Sequence, residues 1–208
     1  MNIIEALQWR YAVRQFSSER LEERHVDELL EATRLSASSY GLQPYRLVVV
    51  RDPAIRRQLL PHAMGQNKVA NCSHLVVLAA QKVIDDSLVD RFIESVAQTR
   101  GQRVEELQPF SKHIKEVFAD MSASQKREWA HQQAYIALGT LLTAAAALKI
   151  DTCPMSGFEP DGFDRVLGLQ QLGLEASVIC ALGIRHPEDD YARSAKVRYR
   201  ESDLVITV

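Results

Sequence analysis

Two spacings of hydrophobic residues alternate along the chain. Apolar residues three or four positions apart predict a first helix over residues 2–10 and an amphipathic helix over residues 22–36. Continuous apolar runs of strand length predict buried strands at residues 47–50, 75–79 and 176–182. Helices between strands, without the regular alternation of a doubly wound fold, favour an α+β fold: a mixed central sheet flanked by helices.

Capping residues indicate where further helices begin. Asp52-Pro53 predicts a helix that ends by Gly65, with the carboxylate as cap and proline in the first turn. Ser122 and Gln125 have the spacing of a capping box, before a long run that is apolar on most of its faces. Such a helix requires burial on more than one side, by the sheet, by a partner subunit or by both.

The remaining segments have weaker patterns. Residues 36–44 are rich in small residues and predict a loop, and residues 151–158 predict a connection that contains a turn. Residues 85–120 are polar with helical spacing, which indicates a helical excursion from the core. A short helix is expected at 160–167. The stretch after Pro187 is charged and predicted to be extended, ending in an apolar, strand-like segment at 204–208.

Composition restricts the class of protein. A chain of 208 residues with 46% hydrophobic and 25% charged residues suits one globular domain, 1–208. A net charge of -2 provides no basic field for a polyanion, which disfavours nucleic acid as a partner. No apolar run reaches membrane-spanning length and the N-terminus lacks a signal-peptide pattern. Three separated cysteines indicate reduced thiols, so a cytoplasmic protein is expected.

Several common catalytic motifs are absent from the sequence. It contains no Gly-x-Gly-x-x-Gly, no P-loop, no His-Glu-x-x-His and no Gly-x-Ser-x-Gly motif. The six histidines show no metal-ligand spacing, so no metal site is predicted. Cations, amides and small-residue turns remain, and these suit the binding of a preformed cofactor better than unaided acid–base chemistry.

Two cationic pairs lie at opposite ends of the chain. Arg10 and Arg14 are four residues apart near the start, and Lys196 and Arg198 lie in the tail. Arginine and lysine are the side chains that bind phosphate, so the pairs could hold an anion between them. The alternative is that they are solvated surface charges, as most lysines and arginines are.

A set of short motifs in a fixed order favours the anion site over solvated surface charges. The chain resembles the nitroreductase family of FMN-dependent NAD(P)H oxidoreductases, particularly its oxygen-insensitive nitroreductase and dihydropteridine reductase branch, over nearly its whole length. The motifs that carry the resemblance are Arg10-x-x-x-Arg14-x-Phe16, Ser38-Ser39 leading to Gln43-Pro44, Lys68 before Ser73-His74, Phe118-Ala-Asp-Met121, Trp129 with Gln133, Pro154-x-x-Gly157-Phe158 and Lys196-x-Arg198.

The resemblance implies a nitroreductase-like fold in an obligate homodimer. Each C-terminal tail would add a domain-swapped strand to the partner's sheet, and one FMN would lie in each of two clefts at the interface. Arg10, Lys196 and Arg198 would hold its phosphate, and Arg14 and Lys68 would lie beside the pyrimidine end of its ring. The segment Pro154, Met155, Ser156 and Gly157 would run along the ring edge.

The partner subunit would complete each cleft. Ser38 and Ser39 would contact the cofactor from the other chain, beside Tyr40 and Gly41. Phe118, also from the partner, would lie over the ring and shape a substrate pocket together with Tyr40.

Some positions depart from the family pattern. The family often has a serine in place of Ala12, a smaller polar residue in place of Tyr11 and an amide in place of Gly41. Individual contacts with the cofactor would therefore change. Gln66 would replace a polar residue expected at Gly65, and Ser156 replaces an acidic residue. FMN binding is expected to survive these changes while substrate preference shifts.

The implied activity is hydride transfer from NADH or NADPH through the flavin to quinones, nitroaromatics or related aromatic acceptors, in a ping-pong order. Donor preference and the physiological acceptor are not distinguished by the sequence. The alternatives are a flavin-binding carrier or redox sensor without turnover, a structural module without cofactor, and a flavin-dependent dehalogenase-like relative.

Overall fold

The computed structural model describes residues 2–208, so Met1, the first residue of the predicted domain, lies outside the described residues. Its sheet has the strand order β1-β2-β4-β3, in which every neighbouring pair is antiparallel. The strands are β1 (Tyr45–Val50), β2 (His74–Gln81), β3 (Asp151–Met155) and β4 (Leu174–Gly183). β2 and β4 form the centre of the sheet and are buried, as predicted; β1, also predicted to be a buried strand, is an edge strand whose residues 47–49 are only half-buried.

Helices precede, follow and connect these strands. Short 3-10 turns extend several of the connections. The α-helices of residues 2–208 are α1 (Ile3–Trp9), α2 (Glu23–Arg34), α3 (Pro53–Leu59), α4 (Lys68–Asn71), α5 (Asp86–Arg100), α6 (Gln108–Ala119), α7 (Ala123–Ala147), α8 (Pro160–Leu167) and α9 (Glu201–Leu204).

Two hydrophobic clusters cover the two faces of the sheet. On one face, Leu75 and Val77 of β2 belong to a cluster with Phe163 of α8. On the other, Val76 of β2 belongs to a cluster with Leu141 of α7. Because successive strand residues point to opposite faces, both sets are buried and β2 has no solvent-facing side.

The predicted excursion consists of α5 and α6. These helices form a third cluster, in which Ile93, Ile114 and Phe118 pack against Ala130 near the start of α7. The excursion therefore has its own small core at one end of the longest helix.

Both predicted caps are confirmed. The Asp52 carboxylate accepts a hydrogen bond from the Ala54 N–H at 2.7 Å. The Ser122 hydroxyl accepts from the Gln125 N–H at 3.3 Å, while the Ser122 N–H donates to the Gln125 side chain at 2.8 Å. The second pair is the complete capping box that begins α7.

The prediction of a connection at residues 151–158 was wrong for its first half. Residues Asp151–Met155 form β3, which pairs with β4 alone and is an edge strand. Pro154 lies within it, and proline weakens a strand pattern because it has no N–H to donate to a sheet. An edge strand tolerates this, since one side of its backbone has no neighbouring strand.

The predicted mixed sheet is not found, because all neighbouring strands are antiparallel; the one parallel contact within residues 2–208 is an isolated bridge outside the strand pairs. Ala12 forms a parallel bridge with Thr152, and the Val13 N–H donates to the Thr152 carbonyl at 3.1 Å. This bridge lays the arginine stretch along the outer edge of β3.

The tail after Pro187 is less extended than predicted. Residues 190–193 form a 3-10 turn and Glu201–Leu204 form α9, whose first turn carries acidic residues that favour a helix N-terminus. The strand-like segment predicted at 204–208 pairs with no strand in residues 2–208, and its apolar side chains are exposed.

A buried carboxylate connects α7 to β4. Glu175 is 5% exposed and accepts hydrogen bonds from Arg127 at 2.6 and 2.7 Å and from His131 at 2.9 Å. These hydrogen bonds outweigh burial, which acts in the opposite direction, and hold the pKa of Glu175 below its ordinary value. Within residues 2–208, no helix is long and apolar enough to cross a membrane.

Candidate cofactor site

A cleft of about 340 Å³ lies between the C-terminal end of α1 and the tail. It brings together residues from opposite ends of the chain, including both cationic pairs singled out from the sequence. Its predicted members are Arg10, Tyr11, Ala12, Arg14, Lys196 and Arg198.

The end of α1 determines where the first arginine lies. Arg10 caps the helix, donating its backbone N–H to the Ala6 carbonyl, and the chain then becomes extended. The bridge from Ala12 to Thr152 continues this direction, so the chain passes beside β3 towards Arg14. Arg10 and Arg14 are consequently held by backbone contacts on both sides of Ala12.

Lys196 connects the tail to α1. Its ammonium donates hydrogen bonds to the carbonyls of Leu7 and Arg10, which the helix itself leaves unpaired at its C-terminal end. The helix dipole also favours a cation there. An ammonium has three donors, so one remains for a ligand in the cleft.

Three of the four cations that line the cleft, Arg10, Lys196 and Arg198, repel one another. The pKa of Lys196 is lowered, first by partial loss of solvent and then by the positive charges of Arg10 and Arg198. Burial lowers the pKa of Arg10. The thiol of Cys180 opposes this change, and the positive charge of Arg198 adds to it. Throughout residues 2–208, no carboxylate lies within 4.0 Å of these three side-chain cations, whereas many other arginines have such a partner.

The cleft therefore fits a phosphate. The Nε of Arg10 is buried and has no hydrogen-bond partner within the described residues. A buried N–H without a partner costs free energy, and a cluster of like charges costs more, so both features favour an anion with several acceptor oxygens. The terminal phosphate of a nucleotide is such an anion.

Two cations, Lys68 and the cleft residue Arg14, lie near Cys153 in the middle of β3. Burial raises the pKa of the Cys153 thiol, while the nearby positive charges of Lys68, Arg14 and Arg10 oppose this rise. Lys68 begins α4, and the Arg14 guanidinium lies 4.7 Å from the centre of the Tyr191 ring. The structure thus brings Arg14 and Lys68 to the same strand, one residue before Pro154.

The segment after β3 forms an exposed edge beside these cations. Met155 is buried, whereas Ser156 and Gly157 are exposed. The Gln66 side-chain amide donates to the Gly157 carbonyl at 2.7 Å. Gln66 therefore holds this segment in place, with its remaining amide N–H and its oxygen available to a ligand.

The residues predicted to serve the partner's cleft lie elsewhere. The Ser39 N–H donates to the Gln133 side chain of α7 at 2.8 Å, and the Ser38 hydroxyl accepts from the Gln43 N–H at 3.1 Å. Tyr40 and Gly41 follow with φ angles of 56° and 82°. None of the residues 38–41 lines the cationic cleft, so one chain alone does not unite the two sets.

The prediction for Phe118 is not supported. Phe118 is 5% exposed and packs edge-on against Trp129 with ring centres 4.8 Å apart, so its ring forms part of the core of its own chain. Phe110, two helical turns earlier on α6, is 39% exposed and lies 6.5 Å from the Tyr40 ring. Phe110 and the exposed His113, whose ring lies 6.1 Å from that of Tyr40, are the residues of this helix beside Tyr40.

Two acidic residues of the site were missed from the sequence. Asp189 accepts backbone hydrogen bonds from Arg14 and Gln15, and Asp151 binds Arg185. Burial and the negative charge of Asp189 raise the pKa of Tyr11 to about 12. Asp189 lies 175 residues from Arg14, and no local pattern indicates a contact over that separation.

Fold and site together define a class of protein: an α+β protein with a cleft between α1 and the tail whose cations, without a carboxylate partner in residues 2–208, suit a phosphate-bearing cofactor. The particular family follows from comparison with known proteins. The chain belongs to the nitroreductase family, whose model, described as "Nitroreductase family", matches residues 7–184.

A relative agrees with this assignment, and solved structures share the fold. A Staphylococcus aureus protein provisionally named as an NAD(P)H nitroreductase is 32% identical over 197 residues, covering 89% of this chain and 87% of the relative. The crystal structure of ydfN from Bacillus subtilis, provisionally named as a nitroreductase, matches with a TM-score of 0.88 at 21% identity, covering 99% and 98% of the two chains. A protein from Exiguobacterium sibiricum that is also provisionally named as a nitroreductase, solved in complex with FMN, matches with a TM-score of 0.84 at 19% identity, covering 100% and 98%.

Proposed function

We propose that this protein is an FMN-dependent NAD(P)H oxidoreductase that reduces quinones, nitroaromatics or related aromatic acceptors in a ping-pong order. The observation that carries the proposal is the cleft between α1 and the tail, where Arg10, Lys196 and Arg198 meet without a carboxylate partner in the described part of the chain. Family membership, the relative's name and the FMN-bound neighbour support it.

The phosphate of FMN would occupy this cleft. The guanidinium of Arg10 would supply its unpaired Nε, and Arg198 a second guanidinium. Lys196 would supply the N–H that the carbonyls of Leu7 and Arg10 leave free. Charge-assisted hydrogen bonds of this kind are short and strong, so three cations suffice to retain the cofactor.

The remaining cations would act on the ring. FMN, when bound, supplies the ring that accepts a hydride and passes it on. Arg14 and Lys68, fixed beside Cys153, would stabilise negative charge at the pyrimidine end without reorganising. Gln66 would hold the exposed Ser156-Gly157 edge against the ring by its bond to the Gly157 carbonyl. In this proposal no side chain is needed as a nucleophile, and donor and acceptor use the same open face in turn.

We further propose that the working unit is a homodimer, each subunit a single FMN-binding domain of residues 1–208. Residues 38–41 and Phe110 lie outside the cationic cleft of their own chain, as expected for groups that serve the partner. Ile136 and Gly139 line an open groove on α7, and the tail exposes Val205 and Ile206. A second copy would cover these surfaces, with the tail swapped onto the partner's sheet.

The experiment that tests the proposed function is anaerobic spectroscopy of the purified protein. After loading with FMN, addition of NADH or NADPH is expected to bleach the flavin absorption, and a nitroaromatic or menadione to restore it. Steady-state rates with varied donor and acceptor should give the parallel reciprocal plots of a ping-pong order. Bound flavin that neither nucleotide bleaches would instead indicate a carrier or sensor, and a protein that rejects FMN would contradict the proposal altogether.

A further inference from the structure

Asp189 is a buried carboxylate that binds two separate parts of the chain. It is 4% exposed and begins the 3-10 turn at residues 190–193. One carboxylate oxygen accepts the backbone N–H groups of Arg14 at 2.8 Å and Gln15 at 3.1 Å. The other accepts the N–H of Tyr191 at 3.2 Å.

Neighbouring backbone bonds make this junction rigid. The His186 N–H donates to the Gln15 carbonyl at 2.9 Å, and the Ser17 N–H donates to the Ile184 carbonyl at 2.8 Å. The segment that follows Arg14 is therefore bound to the segment that follows β4. Asp189 is the side chain that extends these contacts back to Arg14 itself.

The charge of Asp189 is compensated by backbone groups. No lysine, arginine or histidine nitrogen lies within 4.0 Å of its carboxylate across residues 2–208. Burial raises its pKa, but the N–H groups of Gln15, Arg14 and Tyr191 outweigh this, and the pKa is held below its usual range. Asp189 is consequently ionised at neutral pH, and its carboxylate forms no salt bridge within residues 2–208.

Arg14 and Tyr191, which both donate backbone hydrogen bonds to Asp189, also contact each other through their side chains. The Arg14 guanidinium lies over the Tyr191 ring, 4.7 Å from its centre. Asp189 holds the backbone of the arginine and the backbone of the residue on which that arginine stacks. This arrangement fixes the direction of the guanidinium more closely than a long, solvent-exposed side chain could be fixed alone.

We propose that Asp189 is a positioning residue that, together with the Tyr191 ring, holds the Arg14 guanidinium beside the flavin and thereby raises the reduction potential of bound FMN. The inference rests on the proposed function, because it requires FMN in the cleft. A cation held beside the flavin stabilises its reduced, negatively charged form, and a displaced cation stabilises that form less.

The sign of the potential change separates this role from a direct effect of charge. A negative charge near the flavin disfavours electrons, so its removal alone would make the potential less negative. Loss of the Arg14 position would make the potential more negative. The Asp189→Asn variant keeps the size of the side chain. If Asp189 positions Arg14, this variant should have a more negative potential.

The experiment measures the reduction potential of bound FMN against a reference dye. Wild type, Asp189→Asn and the control Asp190→Asn, which removes a charge from the neighbouring exposed position, are compared. The expected result is a more negative potential for Asp189→Asn and no such shift for Asp190→Asn. In an Arg14→Gln background, Asp189→Asn should no longer lower the potential. An unchanged or less negative potential for the single variant would overturn the proposal.

A second variant keeps the test open if Asp189→Asn does not fold. Tyr191→Leu leaves the carboxylate and its backbone bonds in place but removes the ring beneath the guanidinium, and its potential should also become more negative. A potential equal to that of wild type would then refute the positioning role. If wild type itself fails to bind FMN, the proposed function fails, and that outcome is visible before any variant is compared.

Discussion

At the scale of single residues, the two phenylalanines of α6 have opposite environments. Phe118 is buried against Trp129, and Phe110 is exposed beside Tyr40. Phe118→Ala is expected to lower the free energy of unfolding by about 3–5 kcal/mol, because it leaves a cavity in the core. Phe110→Ala should cost clearly less stability than Phe118→Ala, because its ring is partly exposed, and should alter acceptor kinetics.

Denaturant unfolding and steady-state kinetics of both variants check this prediction. Each variant is the other's control, since the same substitution is made two helical turns apart on one helix. A stable Phe118→Ala protein with changed acceptor KM, beside a Phe110→Ala protein with neither change, would restore the pocket role to Phe118.

The residue scale also shows which parts of the site the sequence could predict. Arg10, Lys196 and Arg198 line one cleft. The sequence could predict this because the order of the short motifs resembles that of a known family. The helical pattern of residues 85–120 makes Phe118 an apolar anchor of the excursion, which allows burial in the core; the place over the flavin ring came only from the family resemblance. Asp189 was missed because its contacts span 175 residues.

At the scale of elements, the connection between α7 and β4 depends on one ionised group. Glu175 has a pKa held below its ordinary value of 4.5 by Arg127 and His131. A depressed carboxylate pKa adds stability that is complete above the unfolded value and is lost as pH falls through the folded value. The free energy of unfolding should therefore decline below about pH 4.5.

The matched variant for this prediction is Glu175→Gln, which keeps the shape of the side chain. It should be less stable than wild type at pH 7, and the difference should shrink towards pH 3 as the wild-type carboxyl is protonated. Urea unfolding across this range measures it. A constant difference between the two proteins at every pH would show that the ionised form contributes nothing.

Elements with one strong signal were predicted well, and those with conflicting signals were not. α7 has a capping box followed by apolar residues, and its start agrees with the prediction, while one of its faces is buried against the sheet and another lines an open groove. β3 contains Pro154 and two polar residues, so its local sequence resembles a turn. Only its pairing with β4 makes it a strand, and pairing partners are not visible in a local pattern.

At the scale of the whole molecule, the proposed homodimer depends on the groove of α7. Gly139 lines this groove, and a Cβ added there meets nothing within 4 Å in its own chain. Gly139→Arg should therefore leave the subunit folded while placing a charge in the interface. Sedimentation velocity should show a shift from dimer to monomer.

The control for this variant is Leu172→Arg, which places the same charge at an exposed apolar position outside the groove. It should remain dimeric. If Gly139→Arg sediments as wild type does, another surface forms the dimer. If wild type is monomeric, the two sets of proposed site residues do not meet, and residues 38–41 have no part in cofactor binding.

The cations between α1 and the tail are proposed to hold the phosphate of FMN. The most direct measurement compares the binding of FMN and riboflavin, which differ only by that phosphate, by fluorescence titration. Wild type should bind FMN at least about tenfold more tightly, because hydrogen bonds to charged groups contribute about 1.5–3 kcal/mol each. Arg198→Ala and Lys196→Ala should lose most of this difference by weakening FMN and leaving riboflavin unchanged. Equal affinity of wild type for the two flavins would contradict the account.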